Sequence, residues 1–282
     1  MTLRLLVLDA YDAAGRQALA GAGATLAGEL YRRLLQRLEP RAHIDVAGAG
    51  ETGFDPPAAL GSYAGIAWTG SNLTVHRDTP AVRAQLDFAR AAFDAGVPSF
   101  GSCWAVHIAV TAAGGRCAAN PRGREFGVAR KIAVTAAGAG HPMFAAKPAC
   151  FDAFTSHEDH VVEIGPGTSV LAGNGFSPVQ AVHVEHGRGV FWAVQYHPEY
   201  DLIDVARLGI LRGPQLISQG FFADAARVDA YLADLEALQA DRARADLRYR
   251  LAVDDDVLDP ERRTVEVRNW LERLVKRRSS GC

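Results

Sequence analysis

The sequence predicts an α/β protein: a three-layer α/β/α arrangement around a central, mostly parallel sheet, followed by a helical C-terminal extension. Three observations predict it. Strand-like and helix-like pieces alternate over the first 113 residues, the pattern of a parallel sheet covered on both faces. Several more strand-like pieces follow, which adds an antiparallel part. Finally, glycine is frequent up to Gly220 and then absent until Gly281, while charge becomes dense in "ADRARADLRYR" and "DPERRTVEVRNWLERLVKRR". A boundary therefore falls between about 204 and 222, dividing the chain into a domain, 1–204, and an extension, 205–282.

Leu3 to Leu8 is a continuous apolar run, expected of a strand buried on both faces. Leu26, Leu30, Leu34 and Leu38, with Tyr31 and Leu35, form one face of a helix. His43 to Val46 and Tyr63 to Trp68 read as further strands. Thr79-Pro80 pairs an N-cap with a proline at the first turn, and that helix presents Val82, Leu86, Ala89 and Phe93 before Gly96 ends it. A short strand, Val97 to Phe100, leads through Gly101 to an apolar helix, Trp104 to Ala113. Strands are expected again at Lys131 to Val134, Cys150 to Phe154, Val179 to Val184 and Gly189 to Tyr196. In the extension, Val228, Tyr231, Leu232, Leu235 and Leu238 share one helical face. Asp259-Pro260-Glu261 starts another helix, whose stripe is Val267, Trp270, Leu271 and Leu274. A stripe of that kind needs a cover, from its own domain or from a second copy of the chain.

At 282 residues, 49% hydrophobic and 22% charged, the composition is that of an ordinary globular protein with room for a core. A formal net charge of -2 gives no reason to expect a nucleic-acid partner. The start, "MTLRLLVLDAYD", reads as a strand and not as a signal peptide, and no apolar stretch is long enough for a membrane span. The four cysteines, at 103, 117, 150 and 282, form no CxxC pair, so a reduced cytoplasm is the expected compartment. Cys117, Cys150 and Cys282 read as structural or incidental thiols.

Two stretches carry chemistry. "FGSCWAVHIA", 100–109, places Cys103 between a strand and a helix, the geometry of a nucleophile elbow. The nearby helix N-terminus would lower a thiol pKa, although a small buried thiol is the competing reading. "FWAVQYHPEYD", 191–201, ends a strand with His197-Pro198-Glu199. A carboxylate two residues after a histidine can accept a ring N–H and fix the tautomer, freeing the other nitrogen to take a thiol proton. Alone, this stretch reads equally well as a surface turn.

Together, in this order, the motifs resemble the class I, triad-type glutamine amidotransferases, in particular the stand-alone relatives of the GMP synthase amidotransferase domain. The resemblance covers roughly residues 1–204 and implies a flavodoxin-like three-layer fold. It implies a catalytic triad of Cys103 as nucleophile, His197 as base and Glu199 as the orienting acid. "WTGSNLTV", 68–75, is similar to the family's oxyanion loop, which implies that backbone amides of Gly70 or Ser71, and of Trp104, hold the oxyanion. "TSHEDHV", 155–161, is similar to the substrate-binding segment and brings in Ser156, His157, Glu158 and Asp159. "REFG", 124–127, echoes the GMP synthase type. The implied reaction is attack on a γ-carboxamide, a γ-glutamyl thioester, and release of glutamate with ammonia or an amine. No cofactor and no metal are implied, and the HxxH-like spacing of His157 and His160 is better explained by the substrate segment.

The pattern departs from the family at three places. Ala105 stands where the family has glycine, His107 where it has a substrate-holding glutamine, and Glu158 where GMP synthases commonly have glycine. His107 is then either a specificity residue or a satisfied core histidine. The departures put free glutamine in doubt as the substrate more than hydrolysis of some γ-glutamyl amide. Three readings follow: an independent γ-glutamyl amide hydrolase, a glutaminase subunit feeding ammonia to a synthetase in trans, and a non-enzymatic binding protein on the same fold. The extension has no "SGGxDS" or "GxxxxGK" segment, which excludes a fused synthetase within it. It remains a candidate surface for a homo-oligomer.

Overall fold

The computed structural model describes residues 2–49 and 60–280. Cys282 lies outside them. The chain opens with β1 (Arg4–Asp9), whose side chains from Leu5 onward are all buried, as a central strand requires. It is followed by α1 (Ala13–Gly21), α2 (Ala27–Leu38) and β2 (His43–Gly48). Helix α1 was not visible as an apolar pattern. It is set by Asp12, whose side chain accepts from the Gly15 amide at 2.7 Å. The next strand, β3 (Gly65–Trp68), starts two residues later than its apolar run. A single helical turn at Leu60–Ser62 precedes it, and Tyr63 turns its hydroxyl outward to Asp45 at 2.9 Å. Then come α3 (Pro80–Ala95), capped by Thr79 as its sequence predicts, β4 (Ser99–Ser102) and α4 (Trp104–Ala112).

The second half supplies β5 (Arg116–Ala119), β6 (Glu125–Val134), α5 (Ala136–Ala139), β7 (Cys150–His157), β8 (Asp159–Glu163), β9 (Thr168–Gly173), β10 (Ala181–His186) and β11 (Gly189–Val194). Among the described residues, nine strands form one mixed sheet in the order β2-β1-β3-β4-β11-β10-β9-β6-β7, and β5 pairs with β8 apart from it. Pairing is parallel from β2 through β11 and antiparallel from β11 through β7. The parallel half carries β4 and β11 side by side, so the chain ends of both emerge at the same edge of the sheet.

Helices cover both faces. On one, Trp104, Val106, Ile108 and Val110 of α4 and Phe88 and Phe93 of α3 pack on Leu6, Leu8, Ile66 and Trp68. On the other, Tyr31, Leu34 and Leu35 of α2 share a core with Phe100, Val194 and Tyr196.

The extension completes this second face. Its helices are α6 (Leu202–Ser218), which starts three residues before the expected boundary, α7 (Ala225–Ala240), α8 (Ala245–Leu251), α9 (Asp255–Leu258), α10 (Pro260–Arg263) and α11 (Val265–Trp270). A π-helical turn, Leu271–Val275, leads from α11 into α12 (Lys276–Ser280). Val267, Trp270, Leu271 and Val275 lie in the same core as Leu5, Val7 and Phe100. The Trp270 ring is fully buried, 6.0 Å from Phe100, and sits over Gly65, where a Cβ would come within 2.7 Å of it. The stripe is thus covered by a face of the chain's own sheet, because side chains of central strands project perpendicular to the sheet. Helix α6 runs unbroken through residue 204, and with α7, α8 and α9 it builds a third core around Tyr11, Phe154 and Tyr200.

Candidate active site

Strand β4 delivers Cys103 to a sharp turn. The residue has φ 53° and ψ -97°, a left-handed backbone that costs a non-glycine residue about 1–3 kcal/mol. Its amide donates to the Val194 carbonyl of neighbouring β11 at 2.7 Å, and α4 starts at the next residue. Two positions earlier, Gly101 makes the turn possible. A Cβ there would stand 2.5 Å from both the Trp68 carbonyl and the Ala105 Cβ. The thiol ends near the N-terminus of α4, with Sγ 3.8 Å from the Ser156 carbonyl oxygen.

The end of β11 brings His197 to the same place. Its amide donates to the Phe154 carbonyl at 2.8 Å, and its ring stacks on Tyr200 with centroids 3.9 Å apart and planes 3° from parallel. Nδ1 lies 2.7 Å from Glu199 Oε1. That oxygen also accepts from Ser102 Oγ at 2.8 Å, so the residue before the cysteine helps hold the carboxylate. Burial disfavours charge on the His197 ring, but the Glu199 carboxylate and the hydrogen bonds to Cys103 and Glu199 outweigh it, and the pKa rises to about 9. A thiol beside an imidazole held in this way can pass its proton to the ring and attack an electrophilic carbon.

The loop after β3 closes the site on one side. A Cβ on Gly70 would lie 3.1 Å from His197 Cε1 and 3.8 Å from Cys103 Cβ, so the loop backbone passes beside both. Ser71 Oγ donates to the Ala10 carbonyl at 2.7 Å and accepts from the Leu73 amide at 3.0 Å, which fixes the loop. Trp104 is anchored by Nε1, which donates to Gln85 Oε1 at 2.7 Å. Ser71, Trp104 and Cys103 line one cleft with His107, Ser156, His157, Glu158 and Asp159. Gly70 and His197 adjoin Cys103, and Glu199 stands behind His197, without being among the residues that line this cleft.

Their surroundings differ. His107 is buried, with Nε2 3.0 Å from Gln195 Oε1, and burial followed by the nearby His157 lowers its pKa to about 3, so it is neutral at ordinary pH. His157 is held from both sides, Nδ1 at 2.9 Å from the Asp159 carbonyl and Nε2 at 2.9 Å from Glu125 Oε2. Glu125 in turn accepts from Asn174 at 2.7 Å and Gln180 at 2.8 Å. Glu158 is paired with Arg124 at 2.8 Å. Asp159 lies 3.7 Å from His76, and burial raises its pKa.

Both arginines that line the cleft escaped the sequence reading. Arg124 lies inside the "REFG" stretch, so a signal existed. Arg212 comes from α6, in the extension, and nothing in its local pattern marked it. Cys117 is buried and Cys150 exposed, and neither is among the residues that line the cleft. Among the described residues, no helix is long and apolar enough to cross a membrane.

The family model for class-I glutamine amidotransferases matches residues 76–204. A gamma-glutamyl-L-1-hydroxyisopropylamide hydrolase of Pseudomonas sp. is 32% identical over 281 residues, covering 97% of this chain and 93% of that protein. A glutamine-hydrolyzing GMP synthase of Thermomicrobium roseum is 37% identical over 106 residues, which are 38% of this chain and 18% of the synthase. Among solved structures, a glutamine amidotransferase from Thermotoga maritima superposes with a TM-score of 0.67, covering 98% of this chain and 99% of that one at 14% identity. A glutamine amidotransferase from Methylobacillus flagellatus does so with a TM-score of 0.60, covering 95% and 94% at 17% identity. At these identities the superpositions speak for the fold.

Proposed function

Because the chain belongs to the class I glutamine amidotransferases, a family of enzymes, we propose that it hydrolyses the amide bond of an N-substituted γ-glutamyl amide through a thioester on Cys103. The observation that carries this reading is the Cys103, His197 and Glu199 constellation at the ends of two adjacent strands. The near full-length likeness to a γ-glutamyl amide hydrolase supports the substrate class.

The steps balance with these groups alone. The Cys103 thiolate adds to the γ-carboxamide carbon, and the carbonyl oxygen becomes an oxyanion held by backbone amides of Gly70 or Ser71 and of Trp104. The His197 imidazolium, favoured by Glu199, gives its proton to the departing nitrogen as the C–N bond breaks. The amine leaves and a γ-glutamyl thioester remains. His197, now neutral, takes a proton from water, the resulting hydroxide attacks the thioester, and the C–S bond breaks to give glutamate and free Cys103. His107, Ser156, His157, Glu158 and Asp159 line the cleft in which the substrate would bind.

The test is amine and ammonia release by the purified chain from a panel of γ-glutamyl alkylamides and from glutamine. Turnover of the alkylamides, lost by a factor of about 10³ or more in Cys103→Ala, is the expected result. A second reading, a glutaminase subunit serving a separate synthetase, draws on the local likeness to GMP synthases. Silence of the chain alone on every amide, relieved only when a synthetase is added, would favour it.

A further inference from the structure

We propose that Arg212, supplied by the C-terminal segment, is the residue that binds the α-carboxylate of the γ-glutamyl group and thereby makes the enzyme selective for γ-glutamyl over other amides. The inference rests on the γ-glutamyl amide reading and assigns the residue that recognises its amino-acid end.

The charges of the cleft carry the argument. Two guanidinium groups line it together with Cys103: Arg124 from β6's approach and Arg212 from α6. They are close enough that Arg212 disfavours the charge on Arg124, after burial, which is the larger influence. Arg124 is already answered. Its Nη2 pairs with Glu158 at 2.8 Å, and its Nε donates to Gln219 Oε1 at 3.3 Å. Glu158 in turn is held by Gln219 Nε2 at 2.6 Å, which closes that group on itself. Arg212 is not answered in this way. Its Nε is shielded from solvent, and among the described residues no acceptor meets it. A shielded guanidinium nitrogen without an acceptor is costly unless a ligand supplies one.

The ligand that fits is a carboxylate, which matches the planar guanidinium fork in a bidentate pair. Every γ-glutamyl amide carries one, next to an α-ammonium group. The cleft offers a carboxyl group for that ammonium in Asp159. Arg212 lines the same cleft as Cys103, and both act electrostatically on the buried Tyr11 hydroxyl.

Its placement is built into the fold. Asp201, just beyond His197-Pro198-Glu199, caps α6 by accepting from the Ile203 and Asp204 amides at 2.8 and 3.2 Å. Ten residues from Leu202, at ~1.5 Å each, α6 carries Arg212 about 15 Å along its axis. Gly209 then seats α6 on α7, where a Cβ would collide with Leu232 at 2.4 Å.

The test compares full-length wild type with Arg212→Met and Arg212→Lys on two amides of the same amine. One is the γ-glutamyl amide and the other is the 4-aminobutanoyl amide, which lacks only the α-carboxylate. Arg212→Met should lower kcat/KM on the first by a factor of about 10–10² and leave the second within about twofold, the scale of a lost charge-assisted hydrogen bond. Arg212→Lys should recover part of the loss. Equal losses on both amides would overturn the inference, because the residue would then serve the fold alone. So would a loss that follows a carboxylate placed on the amine. Calorimetric binding of glutamate against 4-aminobutyrate to wild type and Arg212→Met separates the two failures. A chain that hydrolyses neither amide but loses its preference for glutamate in the variant refutes the reaction and keeps the carboxylate site.

Discussion

At the scale of the residue, His197 sets the pH behaviour. Burial works against its charge, but Glu199 and the bond to Cys103 raise its pKa to about 9 from 6.5. In its proposed role as proton donor to the leaving nitrogen, it should give kcat/KM an upper limb near pH 9. Its linkage to stability has the same sign. A pKa raised in the folded state contributes stability fully below about 6.5, and this is lost as pH rises through about 9. Glu199→Gln keeps the shape and removes the charge. The limb should fall clearly below 9, turnover should drop by a factor of about 10² or more, and the pH dependence of the melting temperature between 6.5 and 9 should flatten. A pH–rate profile and melting curves on the variant check this. An unmoved limb would mean that another group titrates there. The Cys103, His197 and Glu199 motifs were legible in the sequence because their spacing along the chain is short: a cysteine directly before a helix, and a histidine two residues from a carboxylate. Arg212 was not legible, because its meaning depends on a cleft assembled from segments far away in sequence.

At the scale of the element, the turn between β4 and α4 is the part most sensitive to a single methyl. Around Gly101, the Trp68 carbonyl and Ala105 Cβ are backbone or backbone-bound atoms with no rotamer to change. Gly101→Ala should therefore push β4, α4 or both, and overpacking of this kind costs about 1–3 kcal/mol. The thiol moves with the turn. Since a displacement near 1 Å at a reacting centre costs on the order of 10²-fold in rate, kcat should fall by about that factor in a protein that still folds. Steady-state kinetics with a circular-dichroism melt would check it, and a variant with wild-type kcat would show that the turn has slack. The elbow was readable from sequence because a glycine between a short apolar run and a long one has few other uses. Helix α1 and the strand pair β5 and β8 were not. Helix α1 depends on a cap and not on an apolar stripe, and β5 (Arg116–Ala119) and β8 (Asp159–Glu163) find each other across a long stretch of intervening chain.

At the scale of the molecule, we propose that residues 205–282 fold with domain 1–204 and not apart from it. Trp270 is buried against Phe100 and Gly65, on strands of the central sheet. Arg263 reaches back to the active-site turn, its Nε donating to the Pro198 carbonyl at 3.3 Å. Trp270→Ala should lower stability by about 3–5 kcal/mol, as for other large buried aromatics, in one cooperative transition seen alike by fluorescence and circular dichroism. Two separated transitions would show the extension to be an independent unit.

The sequence by itself determined the alternation of strand and helix, the two chemical motifs and the existence of an ordered extension with an apolar stripe. Each of these is written in contiguous residues, through periodicity, turn chemistry or a short motif. Only the tertiary structure decided that the stripe covers a sheet face, that His107 is buried and neutral beside Gln195, and that an arginine from the extension faces the cleft. The physical reason is common to all three. Burial, and the charge a buried group can carry, depend on which distant segments exclude water from it, and a linear sequence does not state those neighbours.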